Sequence, residues 1–137
     1  MKKSKNPSIV NVGSIHNTVT TSGRSDYVTS KSALIGATRS LSLDLSLYKI
    51  RVNMVSPGAI ETSMLIRGWK KKAPNIEILK LKEKAGALHP MGRIGKPEDI
   101  SNTILFLLSD KSSFINGINI LVDGGIHAKV MLSNLWE

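Results

Sequence analysis

The sequence predicts an α/β domain built on a parallel sheet. Two observations predict it: three short runs rich in β-branched and apolar residues, and helical periodicity in the stretches between them. The runs are Ser8 to Gly13 (SIVNVG), Ile50 to Val55 (IRVNMV) and Ile118 to Val122 (INILV). Strands covered by helices on both faces read in this near-continuous way. Parallel strands also need crossover connections, and the helical stretches supply them.

The first helix is expected from about Asp26 to Leu47, with Ser25 as N-cap. Ala33, Leu34, Ala37, Leu41 and Leu45 recur at three- and four-residue steps and form one apolar stripe. A second helix is expected to begin at Pro97, whose fixed φ suits the first helical position, with Glu98 and Asp99 at the positive end of the dipole. Its apolar face is Ile100, Ile104, Leu105 and Leu108. The stretch from Thr62 to Arg93 is long for a connection. It mixes Gly68, Pro74 and Pro90 with a helix-like piece, Ile76 to Lys84, and reads as an insertion over one sheet end, the kind of segment that serves as a substrate lid. Asp123, Gly124 and Gly125 close the last strand with a tight turn.

At 137 residues and 41% hydrophobic content, one core and one domain are expected. No apolar run approaches the roughly 18 residues a membrane span needs, and the lysine-rich start leads into Asn6, Pro7 and Ser8, so a cytoplasmic address without membrane association is expected. Cysteine is absent, which excludes disulfides, thiolate metal sites and cysteine nucleophiles. His16, His89 and His127 are scattered without ligand spacing, so no metal site is expected. The net charge of +9 attracts anions without choosing among them. The excess gathers at Lys2, Lys3 and Lys5 and between Arg67 and Lys84, where only Trp69 offers an aromatic neighbour. That is the pattern of a solvated face, and nucleic acid is not expected as a partner.

Tyr27 and Lys31 stand four apart at the start of the first helix, so they share one helix face. An ammonium near a phenol favours phenolate, which suits a phenol that passes a proton to or from a carbonyl or hydroxyl oxygen. Taken alone, the pair is also what ordinary surface decoration of a helix looks like. Ser14 follows the first strand at the end where open α/β sheets place their ligands. Its hydroxyl can bond a substrate oxygen there, or simply serve a turn.

Asn11-Val12-Gly13-Ser14, followed thirteen residues after Ser14 by Tyr27-Val28-Thr29-Ser30-Lys31, resembles the Ser and Tyr-x-x-x-Lys site of the short-chain dehydrogenase/reductase family. Ile50 to Thr62, with its Pro57-Gly58 turn, resembles the family's sixth strand and the loop after it. Pro90 to Asp99 and Val122-Asp123-Gly124-Gly125 resemble its closing blocks. The resemblance implies a partial Rossmann-type, doubly wound parallel sheet comprising the last three strands and their helices. It implies an NAD- or NADP-dependent oxidoreductase in which Tyr27 is the general acid/base and Ser14 orients the substrate oxygen. Lys31 would tune Tyr27 and bond the nicotinamide ribose. Pro57 and Gly58 would let main chain approach the nicotinamide, Ile60 would bond its carboxamide, and Thr62 the carboxamide or pyrophosphate. The substrate would be a small alcohol or carbonyl compound, and the overall look is similar to 3-oxoacyl-carrier-protein reductases and sugar dehydrogenases.

A dinucleotide domain binds pyrophosphate at a glycine-rich turn after its first strand, and no such turn occurs in this sequence. The expectation is a single truncated domain, 1–137, without its N-terminal half, in which residues 1–7 are a remnant of the preceding helix and loop and 62–93 are the lid. The strand from Ser8 to Gly13 would then be an open edge inviting pairing with another chain. Homo-oligomerisation, or association through that edge and the long helix, is therefore expected. Two functional readings follow: an oxidoreductase impaired as an isolated chain, or a non-catalytic subunit that docks onto a full-length relative.

Overall fold

The computed structural model describes residues 5–129; residues 1–4, and with them most of the expected N-terminal remnant, lie outside the described residues. Three strands, β1 (Ser8–Val12), β2 (Arg51–Pro57) and β3 (Asn119–Val122), form one parallel sheet in the order β1-β2-β3. Val10 lies beside Asn53, Val12 beside Val55, and Val55 beside Ile120. The strand expectations hold within two residues at each end. Gly13 lies beyond β1, yet its N–H still donates to the Val55 carbonyl at 2.8 Å.

Helices α1 (Ser25–Asp44) and α4 (Pro97–Leu108) cover the sheet. Side chains of β2 alternate between them, as the period of a strand requires. Val55 packs on α4 with Ile100 and Leu107 as the buried core, and Val10, Ile104, Ile120 and Val122 close around it. Each such fully buried aliphatic contributes roughly 1.5–3 kcal/mol. The inward face of α4 is therefore Ile100, Ile104 and Leu107, at spacings of four and three. Leu105 and Leu108, expected inside, are exposed together with Phe106.

Helix α1 departs further from expectation. It ends at Asp44 rather than Leu47, and a short 3-10 turn, Ser46–Tyr48, follows. Ser25 is its first helical residue, not its cap; Arg24 holds the cap position without a side-chain bond, and the Asp26 carboxylate accepts from the Tyr27 N–H at 2.7 Å. The expected stripe does not face the sheet as a unit. Ala33, Ala37 and Leu41 are exposed, and the buried residues are Thr38 and Ser42. The reason lies in what the sheet presents. The Asn11 amide donates to Thr38 Oγ1 at 2.9 Å, and the Asn116 amide donates to the Ser42 carbonyl at 3.0 Å. An apolar side chain at 38 would leave the Asn11 amide unpaired at a cost of about 1–3 kcal/mol, whereas the Asn116 bond uses main chain and position 42 is kept small by Gly117, where a Cβ would fall 2.7 Å from Ser42 Oγ.

The central strand is buried from Arg51 to Ser56. Its one cation, Arg51, caps the carboxyl end of α4. One guanidinium nitrogen donates to the Leu107 carbonyl and to Ser112 Oγ, both at 2.8 Å, and the other to the Ser109 carbonyl at 3.2 Å. Helix-terminal carbonyls carry the negative end of the dipole and lack partners within the helix, so a cation satisfies both demands.

The Thr62 to Arg93 stretch is more helical than expected. Ser63–Lys72 forms α2 and Ile78–Leu88 forms α3, so the helix-like piece begins two residues later and runs further than expected. Thr62 caps α2, its Oγ1 accepting from the Leu65 N–H at 3.3 Å. The two helices pack on each other, and the Lys82–Glu61 ion pair ties α3 to the end of the β2 loop. A single parallel bridge, Ile60 with Gly95, fastens that loop to the segment leading into α4.

Replacing Arg51 with methionine keeps most of the side-chain volume but removes the guanidinium from the Leu107 and Ser109 carbonyls and from Ser112 Oγ, leaving those carbonyls the donors of Ser8 and Ser112. A loss of about 2–4 kcal/mol is expected in urea unfolding. An unchanged midpoint would show that the cap contributes nothing.

Candidate active site

The carboxyl ends of all three strands lie on one rim, and the sequence-predicted residues sit along it. β1 leaves the sheet at Val12 and turns at Gly13, where a Cβ would fall 1.9 Å from Met54 Cε and 2.8 Å from Ser56 Oγ; glycine is needed because the central strand fills that space. Ser14 follows, buried at 7% exposure, and heads a 3-10 turn, Ile15–Asn17. Its Oγ accepts from the His16 N–H at 3.3 Å. The turn half of its expected roles is thus visible, and the hydroxyl proton is left for another acceptor.

Tyr27 and Lys31 lie on the first turns of α1 and share a face. Lys31 Nζ donates to the Val12 carbonyl at 3.1 Å and lies 5.8 Å from the centroid of the Tyr27 ring. That bond draws the ammonium from the helix to the strand end, beside the phenol, and leaves it two further protons to donate. Tyr27 is 36% exposed. The link to the Ser14 turn is His16, whose ring meets Tyr27 edge-on, with centroids 5.8 Å apart and planes at 81°. Burial first, and the Arg24 guanidinium second, hold the His16 imidazole below the ordinary histidine range, with the Val19 backbone acting in the opposite direction. Sequence reasoning set His16 aside as scattered; its place two residues after Ser14 is the only signal that could have found it.

Pro57, Gly58, Ile60 and Thr62 occupy the next loop along the rim, and within the described residues no hydrogen bond joins them to Ser14, Tyr27 or Lys31. Gly58 has a packing reason of its own. A Cβ there would lie 2.8 Å from Asp123 Cβ and 2.9 Å from its Cα, and the Gly58 N–H donates to the Val122 carbonyl at 3.0 Å. The bridge at Ile60 uses the neighbouring groups: the Glu61 N–H donates to the Gly95 carbonyl and the Gly95 N–H to the Ala59 carbonyl, at 2.8 and 2.9 Å. Ile60's own N–H and C=O take no partner within the described residues. The Thr62 hydroxyl, accepting from Leu65, retains its proton. A main-chain donor and acceptor, a hydroxyl and an ammonium thus line the rim with capacity to spare, the donor set that a carboxamide and a ribose need.

A hollow beside Ile60 is lined by Met91, Arg93, Gly95, Asp99 and the β3 end from Val122 to Gly124, and does not reach Ser14, Tyr27 or Lys31. Its charged groups are already committed. Arg93 grips Asp99 with both guanidinium nitrogens, at 2.7 and 3.0 Å, and Asp99 also accepts from the Lys96 N–H at 2.7 Å.

A parallel sheet with helices packed on it in this order is the architecture of the Rossmann-type folds. The chain belongs to the short-chain dehydrogenase/reductase family: the family model described as enoyl-(acyl carrier protein) reductase matches residues 1–127. It is 42% identical over 126 residues to a 3-oxoacyl-(acyl-carrier-protein) reductase of Thermotoga maritima, an alignment covering 92% of this chain and 48% of that protein. It is 37% identical to the mouse (3R)-3-hydroxyacyl-CoA dehydrogenase over 87% of this chain and 42% of that one. Among solved structures, aldohexose dehydrogenase of Thermoplasma acidophilum superposes with a TM-score of 0.89 at 38% identity, covering 97% of this chain and 52% of the other. Carveol dehydrogenase of Mycobacterium avium, in complex with NAD, superposes at 0.83 with 27% identity, covering 91% and 47%. The chain spans about half the length of the curated relatives it matches.

The Arg93 hydrogen bonds, then the Lys96 N–H, lower the Asp99 pKa from 3.8 to about 2. A carboxylate whose pKa is depressed by folding stabilises the fold above its unfolded value, and loses that effect as pH falls through the folded one. The wild-type chain should therefore melt above Asp99→Asn at pH 5 to 7, and the gap should close between about pH 4 and pH 2. Thermal melts across that range read it directly.

Proposed function

We propose that this chain carries the proton-transfer site of an NAD- or NADP-dependent oxidoreductase that interconverts an alcohol and a carbonyl compound. The observation that carries the reading is the convergence of Lys31 on both the Val12 carbonyl and the Tyr27 ring, one turn of chain from Ser14. Tyr27 Oη gives its proton to the substrate oxygen as the carbonyl is reduced and takes it back in the reverse direction. Ser14 Oγ donates a hydrogen bond to the same oxygen and fixes its approach. Lys31 stabilises the phenolate that remains and, with its uncommitted protons, bonds a ribose hydroxyl. A bound nicotinamide supplies or accepts the hydride. Ile60's main chain and the Thr62 hydroxyl would suit its carboxamide, and the Pro57-Gly58 turn would let main chain approach it. Residues 62–93, carrying α2 and α3, act as the substrate lid.

The substrate class nearest the relatives is a 3-oxoacyl or sugar carbonyl, since the relatives include a 3-oxoacyl reductase, a hydroxyacyl-CoA dehydrogenase and an aldohexose dehydrogenase. The glycine-rich turn with which a dinucleotide domain binds pyrophosphate does not occur in this sequence. Positioning is what such contacts contribute to catalysis, so turnover by the isolated chain should be weak. Purified chain supplied with NADH or NADPH and a panel of 3-oxoacyl thioesters and aldoses should oxidise the cofactor. Tyr27→Phe should lower kcat by at least about a thousandfold, roughly 4 kcal/mol of transition-state stabilisation. If neither cofactor binds, the reading fails for this chain by itself.

The second reading, a non-catalytic subunit that docks onto a copy or a relative, rests on apolar exposure. β1 and β3 are both edges of the described sheet, Val12 on β1 is exposed, and so are Leu105, Phe106 and Leu108 on α4 and Ala33, Ala37 and Leu41 on α1. A helix apolar around much of its circumference belongs inside a larger body. Association through the long helix and the open edge follows, and light scattering coupled to size exclusion should report a mass above 14.9 kDa. A well-folded monomer would remove this reading.

A further inference from the structure

We infer that Asn17, held by Ser56 and Asn119, is a positioning residue for the Ser14 turn and, through His16, for Tyr27. The inference rests on the catalytic reading of Tyr27 only for its consequence in turnover; the positioning itself is a matter of geometry. Three side chains from three elements form one line, buried at Ser56 and half-buried at Asn17 and Asn119. Ser56 Oγ, on the fully buried central strand, donates to Asn119 Oδ1 on β3 at 2.7 Å. A serine hydroxyl has one proton, so towards Asn17 it can only accept, and it accepts from Asn17 Nδ2 at 2.8 Å. The direction of the whole line is thereby set.

Asn17 passes that constraint to the rim. Its backbone N–H donates to the Ser14 carbonyl at 3.0 Å, and Ser14 Oγ accepts from the His16 N–H. The His16 ring lies edge-on against Tyr27. From the far edge of the sheet to the phenol there is thus a continuous sequence of contacts, hydrogen bonds of 2.7 to 3.3 Å as far as His16 and an edge-on ring contact from there to Tyr27. Among the described residues no other hydrogen bond ties the tip of this turn to the sheet: beyond the line through Asn17, its remaining hydrogen bonds are local, from Thr18 and Val19 to the Ile15 carbonyl.

Two further observations separate this from ordinary packing. Asn17 Oδ1 is sealed from solvent and has no partner, as has His16 Nδ1. Unsatisfied buried polar atoms are rare in folded proteins and gather where function, not stability, sets the residue. An alanine at 17 would remove the unpaired oxygen, so the amide is retained for what its nitrogen holds. The turn also starts flush against the central strand, since a Cβ at Gly13 would meet Met54 Cε at 1.9 Å and Ser56 Oγ at 2.8 Å, and the amide of Asn17 holds it there.

The test uses the whole chain and NMR, with Asn17→Ala and Ser56→Ala. The three histidines, His16, His89 and His127, give separate ring resonances, and His16 feels the Tyr27 ring current. In both variants the His16 ring signals should move, and amide exchange from His16 to Val19 should quicken by about tenfold, while His89 and His127 stay in place. If His16 keeps its wild-type signals and exchange in both variants, the inference is wrong. If all three histidines move together, the line is merely structural and the inference is equally lost. Should burial of Ser56 make its variant unfold, Asn17→Ala, on a half-exposed turn, decides alone. In turnover, Asn17→Ala should cut kcat by about tenfold with KM for the cofactor held within about twofold. A wild-type chain that binds no cofactor would defeat the oxidoreductase reading but leave the NMR result to judge the positioning.

Discussion

The structure depends on a strand that is buried along most of its length and is nevertheless rich in polar side chains. Arg51, Asn53 and Ser56 all lie inside, at or near zero exposure. In that environment an unpaired polar group costs more than almost any packing choice around it. Each of these residues therefore dictates a neighbour. Arg51 fixes where α4 ends, and Asn53 holds the loop before β3 through the Ile115 carbonyl and the Ile118 N–H. Ser56 joins β3 to the turn after β1. The arrangement of the sheet, its covering helix and its rim is a set of answers to those demands.

The sequence made the fold class legible because strand residues covered on both faces have few alternatives to β-branched and aliphatic types, and SIVNVG, IRVNMV and INILV show it. Pro97 with Glu98 and Asp99 marked the start of α4 through backbone constraint and dipole. What misled was the assumption that apolar periodicity points to the sheet. In α1 the polar positions turn inward, Thr38 because Asn11 on β1 offers it an amide and Ser42 because Gly117 packs against it, and no single-sequence pattern reveals what the opposing surface will present. The face of α4 slipped for a simpler reason: Ile100, Ile104 and Leu107 satisfy a helical stripe as well as Ile100, Ile104 and Leu108 do. α2 was missed because its apolar positions are few and Gly68 interrupts them; only the cap at Thr62 announced it.

For the candidate site, the motif spacing was readable and the support beneath it was not. Tyr27 and Lys31 reveal themselves by a four-residue interval, and Ser14 by its place after a strand. Asn17, Ser56 and Asn119 lie far apart in the chain, and each alone is an ordinary polar residue of a loop or strand. Their significance is purely three-dimensional. Ile60 is similar: its side chain is unremarkable, and its contribution is main chain left over by the bridge that Ala59, Glu61 and Gly95 complete.

The meeting of Gly58 with Asp123 has a bearing on how such a site can change over generations. The Gly58 main chain rests there on the Cα and Cβ of Asp123, with no room for a side chain at 58. The gap between the second and third strands is thus closed to variation by simple replacement. New chemistry at this rim must come from the far wall, where α2 and α3 expose most of their residues to solvent. One wall of the rim is therefore set by backbone contact and the opposite one by exposed side chains, so replacements can reshape the second without disturbing the first.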